Sequence, residues 1–347
     1  MNLEEIKTKL NKYDGDEITI MEVCGSHTAA IAKYGIKGLL SPKIHLISGP
    51  GCPVCVTPSA YVDKLVEISL NETVVTFGDL IRVPGSTESL GMAKAKGAKI
   101  QMVYSPMDVL ELAKSNPEEN FVFAAVGFET TAPVYTLLLD CIVRENISNI
   151  KLLTAIKTMP SVVESLINDP DSKIDAFLAP GHVAAITGSD YFQDLSQKYK
   201  VPFGVAGFEP EELLIAIAGL VNQVEKAPDS VENYYPSIVS REGNIIAKTQ
   251  IDKYFEPCDA VWRGIGVVKD SGLLLRDEFS KYDAGSKNLV DDNHNSACRC
   301  GEVLTGKITS KDCPLFGKVC NPQEPKGACM VSFEGSCYQN FLNKSEE

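Results

Sequence analysis

Six of the chain's cysteines crowd into one tail: Cys298, Cys300, Cys313, Cys320, Cys329 and Cys337, in a chain of 347 residues. A short segment with little apolar periodicity gains its stability from a cross-link or a metal centre. Zinc ribbons present two C-x2-C knuckles, and this tail has none. Its loose spacing, with Pro314 after Cys313, fits an iron–sulfur cluster at least as well. The residues alone therefore predict a four-thiolate metal centre with two thiols to spare, and do not choose the four. The remaining cysteines are Cys24, Cys52 and Cys55 near the start, with Cys141 and Cys258 standing alone.

Compartment sharpens that reading. The opening MNLEEIKTKLNKYDGDEI has no apolar run, and no stretch of 18 apolar residues exists in the chain. We therefore expect no signal peptide and no transmembrane helix, and a cytoplasmic address. In a reducing cytoplasm clustered cysteines serve metal or redox chemistry more often than structural disulfides. The net charge of −13 and the lack of a basic run argue against nucleic acid or a membrane surface as partner. With 44% hydrophobic residues the chain has enough apolar material for sizeable cores.

Ahead of the tail, β-rich apolar runs at 18–23, 44–48, 73–77, 99–103, 121–126, 151–155, 176–178 and 202–206 alternate with helical patterns at 59–70, 89–96, 107–115, 132–145, 160–168 and 211–224. Nearly continuous apolar strands are covered on both faces, so the pattern predicts an α/β fold with mainly parallel sheets flanked by helices. The loop at Asn116–Glu119 suggests a first α/β domain over 1–116 and a second over 117–225. A connecting segment and the Cys-rich C-terminal domain then occupy 226–347. Part of 226–285 is available to complete the first domain. The stretch 283–297 reads as a linker.

Several motifs begin where an apolar strand ends, which is where ligands bind in such sheets. Cys24 and His27, in Glu22–Thr28, can share one helix face; thiolate plus imidazole suits a soft metal or an activated nucleophile. Cys52 and Cys55 form a C-x-x-C suited to a reversible dithiol couple, or to half of a metal site. Asp79, Glu129, His182 and Glu209 could gather at one sheet edge, or merely cap helices. Trp262-Arg263 could be a partner-binding hot spot or core. Cys141 reads as core, and Cys258, His45 and His294 carry no special role.

Taken in order, EVCGSHT, GPGCPVCVTP, FGDLIRVPGS, VGFETTAP, APGHV, AGFEP, WRGIG and the tail CRCGEVLTGKITSKDCPLFGKVC resemble the HypD family, the iron–sulfur maturation proteins of [NiFe]-hydrogenases. The resemblance runs from about residue 16 to 342, with Ser26 standing where the family motif has Thr. It implies two α/β domains and a third carrying a [4Fe-4S] cluster. It also implies a redox-active scaffold that, with a HypC-like small chaperone and a HypE-like cyanide donor, assembles the Fe(CN)2CO unit later handed to the hydrogenase large subunit. The family's cluster pattern falls on Cys298, Cys313, Cys320 and Cys337. Cys300 and Cys329 match a second redox pair, Cys52 and Cys55 the central dithiol, and Cys24 with His27 the transient iron site. Glu129 and His182 are then candidates to orient ligands or move protons. The reading leans to an assembly scaffold rather than a turnover enzyme. A reading from another class is a cluster-dependent thiol–disulfide oxidoreductase acting on a protein disulfide.

Overall fold

The computed structural model describes residues 2–289 and 297–343. His294 and much of the expected linker lie outside the described residues. Strands form at Ile18–Glu22 (β1), Ile44–Ser48 (β2), Thr73–Thr76 (β3), Ile100–Met102 (β4), Phe121–Gly127 (β5), Ile150–Lys157 (β6), Ala176–Pro180 (β7), Phe203–Ala206 (β8), Val231–Asn233 (β9), Phe255–Trp262 (β10) and Gly266–Leu275 (β11). Each apolar run read as a strand is one, and each helical pattern contains a helix. All seven residues of β5 are buried, as expected for a strand covered on both faces.

Two sheets result. One is wholly parallel, in the order β2-β1-β7-β8-β9. The other runs β10-β11-β6-β5-β3-β4, parallel from β6 to β4 and closed by the antiparallel hairpin β10–β11. The architecture is therefore α/β with mostly parallel sheets flanked by helices, plus a Cys-rich C-terminal region.

The chain crosses between the sheets. It lays down β1 and β2, builds β3–β6 of the second sheet, returns for β7–β9, then adds β10–β11 to the second. The expected divisions at 116/117 and 225/226 do not coincide with the sheets. The loop around residue 116 joins strands that share one sheet, for β5 pairs with β3 in register (Val74 opposite Val122). Length and local pattern cannot show which strands pair; the ladder does. The hairpin went unread in the sequence because Pro257 and Asp259 interrupt β10, which carries a bulge between Cys258 and Ala260.

The turn of this hairpin lies inside the protein. Trp262 and Arg263 are buried, so the Trp-Arg step belongs to the core. Trp262 stacks on Phe128 with ring centroids 5.8 Å apart, and its indole N–H donates to Ser271 Oγ at 2.8 Å. Beyond the turn the tail is built of short helices, Cys300–Leu304 and Ser336–Leu342, and 3-10 turns. It packs its own small core around Phe316 and Met330 and reaches into the main core with Leu304 and Cys329.

Candidate functional site

Four loops leave the carboxyl ends of neighbouring strands of the first sheet. Cys24 follows β1, Gly49–Cys55 follows β2, His182 follows β7 and Phe208 follows β8. The two cysteine loops are bonded to each other, Gly25 N–H donating to Gly51 O at 2.9 Å. Gly51 is glycine because of that approach: a Cβ there would overlap the Cys24 backbone nitrogen and lie 2.5 Å from its Cα. Asp79 and Glu129 do not join this edge. They follow β3 and β5 of the second sheet, so the expected gathering of all four acid and imidazole groups does not occur. Asp79 is exposed. Glu209 is exposed too, and forms a capping box with Glu212 at the start of the helix Pro210–Lys226, the bland reading for that residue.

Cys24 sits at the N-cap of the helix Gly25–Lys33, near the backbone N–H groups of Ser26 and His27 but without a side-chain capping hydrogen bond. Those donors favour a thiolate, but burial outweighs them and pushes the thiol up to about 12. Cys24 is thus a protonated thiol rather than a free nucleophile, and becomes a ligand only by releasing its proton to a cation. Beneath it Glu22 is buried, and its carboxylate accepts from Cys24 N–H at 3.1 Å and from Thr28 Oγ1. Burial raises Glu22 to about 8.

His27 is fully buried, its Nε2 3.0 Å from Gly207 O and 3.3 Å from Ala206 O. Carbonyls only accept, so Nε2 carries the proton and Nδ1 keeps its lone pair. Nδ1 has no hydrogen-bond partner among the described residues. Burial lowers the imidazole to about 4, keeping it neutral. A neutral ring fixed by carbonyls on one nitrogen and bare on the other is how a metal-binding histidine is presented. Phe208 lies against His27 and stacks on His182 at 3.9 Å between centroids, linking two imidazoles through one phenyl ring. His182 itself is exposed.

The C-x-x-C loop is clamped from the hairpin turn. Arg263 donates through Nε to Thr57 O at 2.6 Å and through its guanidinium to Pro84 O at 2.8 Å, while its backbone N–H bonds Val56 O. Gly264, at φ +73°, lets the turn touch the tail backbone: a Cβ there would stand 2.7 Å from Gly301 N and Cα. One turn therefore carries Cys52–Cys55 on one side and Cys300–Gly301 on the other.

Cys52, Cys55, Cys329 and Cys337 form a run of sulfurs in hydrogen-bond reach of one another. Cys55 N–H also donates to Cys52 Sγ at 3.3 Å. Cys329 sits between Cys55 and Cys337, and donation from both holds its thiol below the usual range. Cys300 lies instead beside Cys298. The tail cysteine that meets the C-x-x-C is thus Cys329. All six tail cysteines line one small cavity that Phe316 and Met330 help to wall. A cavity lined by six thiols, all soft sulfur donors, suits an iron–sulfur cluster. Among the described residues no three His, Cys, Asp or Glu side chains stand in metal-holding geometry.

Glu129, after β5 of the second sheet, meets Tyr191, which follows β7 of the first. Glu129 is buried at the end of β5; its Oε1 accepts from Met159 N–H at 2.7 Å and from Tyr191 Oη at 2.9 Å. Its Oε2 has no partner among the described residues, and burial raises the carboxyl to about 7. Glu334 escaped sequence reasoning: it accepts from Ser26 Oγ at 2.7 Å and covers the start of the Cys24 helix from the tail. Nothing local marks it, because the contact is made only by folding. His45 is exposed, 3.8 Å from Glu17, with no part in the site.

The HypD family model, described as the hydrogenase formation hypA family, matches residues 1–343. The hydrogenase maturation factor HypD of Escherichia coli is 43% identical, over 100% of this chain and 94% of its own length. Those of Rhodobacter capsulatus (41%; 92% of this chain, 88% of theirs) and Azotobacter vinelandii (38%; 92% and 87%) are similar as well. No helix among the described residues is long and apolar enough to cross a membrane. The motif order and these near-complete matches agree, and the chain belongs to the HypD family of hydrogenase maturation factors.

Proposed function

We propose that this chain is the scaffold on which an Fe(CN)2CO unit is assembled, working with a HypC-like small chaperone and a HypE-like cyanide donor before transfer to a hydrogenase large subunit. The observation that carries the reading is the Cys24 loop. A buried thiol at a helix N-cap stands three residues from a neutral imidazole whose bare nitrogen has no partner among the described residues. Iron is the cargo. Cys24 is its proposed thiolate ligand, with His27 Nδ1 as the candidate second donor. Few permanent ligands suit a unit that must be handed on.

The C-x-x-C lies against that loop through Gly51. Cys52 and Cys55 are proposed as a dithiol that closes to a disulfide with release of two protons and two electrons, and Cys329 stands in reach of Cys55 for exchange. Cys298, Cys313, Cys320 and Cys337 are proposed to hold a [4Fe-4S] cluster, with Cys300 and Cys329 as the thiols to spare. Such a cluster supplies one-electron redox chemistry when bound. Glu129, with one oxygen fixed and the other bare, is placed to hold or release a proton near neutral pH. His182, on the exposed side of Phe208, is the corresponding candidate at the first sheet. The chemistry implies a reducing, cytoplasmic setting.

The test is anaerobic purification with iron and sulfide assay, then infrared spectroscopy of the protein isolated with its small partner. About four irons and four sulfides per chain, with bands of iron-bound cyanide and CO lost in Cys24→Ser, are expected. A colourless zinc protein would end the redox reading. Full maturation by Cys24→Ser would favour a thiol–disulfide oxidoreductase instead, which has no need of that thiol.

A further inference from the structure

A loop in the Cys-rich tail folds back onto one of its own thiols. Between Cys320 and Gly327 the chain reverses around Asn321, whose Oδ1 accepts from Gln323 N–H at 3.0 Å and from Glu324 N–H at 2.9 Å. This is an Asx turn, in which a side-chain oxygen stands in for a backbone carbonyl. The turn delivers the backbone N–H of Lys326 to Cys320 Sγ at 3.3 Å. The sulfur end of that bond is held as well, for Cys320 N–H donates to Leu315 O at 3.0 Å and Gly317 N–H to Cys320 O at 2.9 Å. Arg82, from the main body, donates to Pro322 O and ties the loop down. Past the turn, Gly327 packs on a second thiol: a Cβ there would stand 2.6 Å from Cys298 Sγ.

A neutral thiol is a weak acceptor, so an amide gains little by facing one. A metal-bound thiolate is a charged acceptor, and hydrogen bonds to charged acceptors are roughly twice as strong. The donor on Cys320 is thus matched to the ionised sulfur. Cys320 is one of the four cysteines proposed above to hold the [4Fe-4S] cluster, and the inference rests on that reading. Reducing a cluster adds negative charge that its sulfurs share. Hydrogen bonds to those sulfurs therefore favour the reduced form, and they are one of the means by which a protein sets a cluster's potential.

We propose that the Asn321 turn sets the reduction potential of the cluster: the Lys326 amide, held on Cys320 Sγ, favours the reduced state, and Asn321 is the positioning residue that keeps the amide there. The donor is backbone, so the identity of the side chain at 326 matters little. What matters is the acceptor at 321, which templates the turn through Gln323 N–H and Glu324 N–H.

The experiment is a mediated redox titration of the full chain, purified anaerobically with its iron and sulfide and followed by electron paramagnetic resonance. Asn321→Ala should lower the midpoint, disfavouring the reduced cluster about tenfold, which is about 59 mV for one electron. Asn321→Ser keeps an acceptor for the same turn and should recover most of that shift. Lys326→Gln keeps the amide and removes only a solvent-screened charge, so it should move the equilibrium by less than about threefold. Where Asn321→Ala does not retain its cluster, the wild-type chain carrying ¹⁵N at its lysine backbone nitrogens decides: the reduced cluster should show a hyperfine coupling to one of them, transmitted through the N–H to sulfur bond. The proposal is overturned by a loaded Asn321→Ala chain with the wild-type midpoint, by a Lys326→Gln shift as large as that of Asn321→Ala, or by a wild-type spectrum without the lysine coupling. A wild-type chain that holds no iron and sulfide ends the cluster reading itself, and the proposal with it.

Discussion

Replacing Gly51 by alanine tests whether the two cysteine loops act as one unit. The added Cβ would sit 2.5 Å from the Cys24 Cα and overlap the backbone nitrogen beside it. Ordinary carbon contacts lie at about 3.5–4.0 Å, so the loops must part by about 1 Å. No flexible side chain can yield, because the atoms in the way are backbone. Overpacking of this kind costs roughly 1–3 kcal/mol. The Gly25 N–H to Gly51 O bond, 2.9 Å long, would stretch or break, adding about 1 kcal/mol. The expected destabilisation is about 2–4 kcal/mol. For a chain of this length unfolding in one transition, that is a fall in thermal midpoint of about 3–6 °C. Hydrogenase activity in a host lacking its own factor should fall further than stability alone explains, because the shift separates Cys24 from the C-x-x-C. Gly38→Ala is the control, since its Cβ enters open space and should change neither reading. A Gly51→Ala protein with an unchanged midpoint and full maturation would refute the reasoning.

The same geometry makes further outcomes measurable. Glu129 titrates near 7 in the folded chain against an ordinary value of 4.5, so the folded state binds the extra proton between those values. Its contribution to stability is then full below about 4.5 and is lost as pH rises toward 7, by roughly 3 kcal/mol; Glu129→Gln should flatten that slope in urea unfolding curves, and an unaltered slope would count against the assignment. Arg263→Leu strips the Thr57 and Pro84 carbonyls of their buried donor, and should cost about 2–5 kcal/mol and speed alkylation of Cys52 and Cys55; equal alkylation rates would mean that the turn does not hold the loop. Cys329→Ala removes a contact made by the Cys55 thiol, and should lower the Cys52/Cys55 midpoint potential by up to about 20 mV. Cys300→Ala should not, and equal shifts in the two variants would deny Cys329 its special place.

Much of this protein was legible in the chain before folding. Short apolar runs such as Phe121–Val126 announce buried parallel strands because a strand covered on both faces has no polar side to show. Cys52 and Cys55 are read as a pair because they are three residues apart, and the crowded tail cysteines because spacing is itself a local property. The HypD motifs are local for the same reason. What the tertiary structure alone decided is who meets whom. It set Asp79 and Glu129 at a different sheet from His182 and Glu209, because pairing of β3 with β5, and of β1 with β7, depends on contacts between strands far apart in the chain. It decided between the two readings of Trp262-Arg263, hot spot or core, making it a buried clamp. It brought Cys329, not Cys300, against Cys55, and laid Glu334 over the start of the helix that follows Cys24. Sequence specifies the chemistry a residue carries and the local element it sits in, since both depend on neighbours a few bonds away. The partners of a buried group come from long-range packing, where hydrogen bonds must be satisfied and volume filled, and that is settled only when the chain has closed on itself.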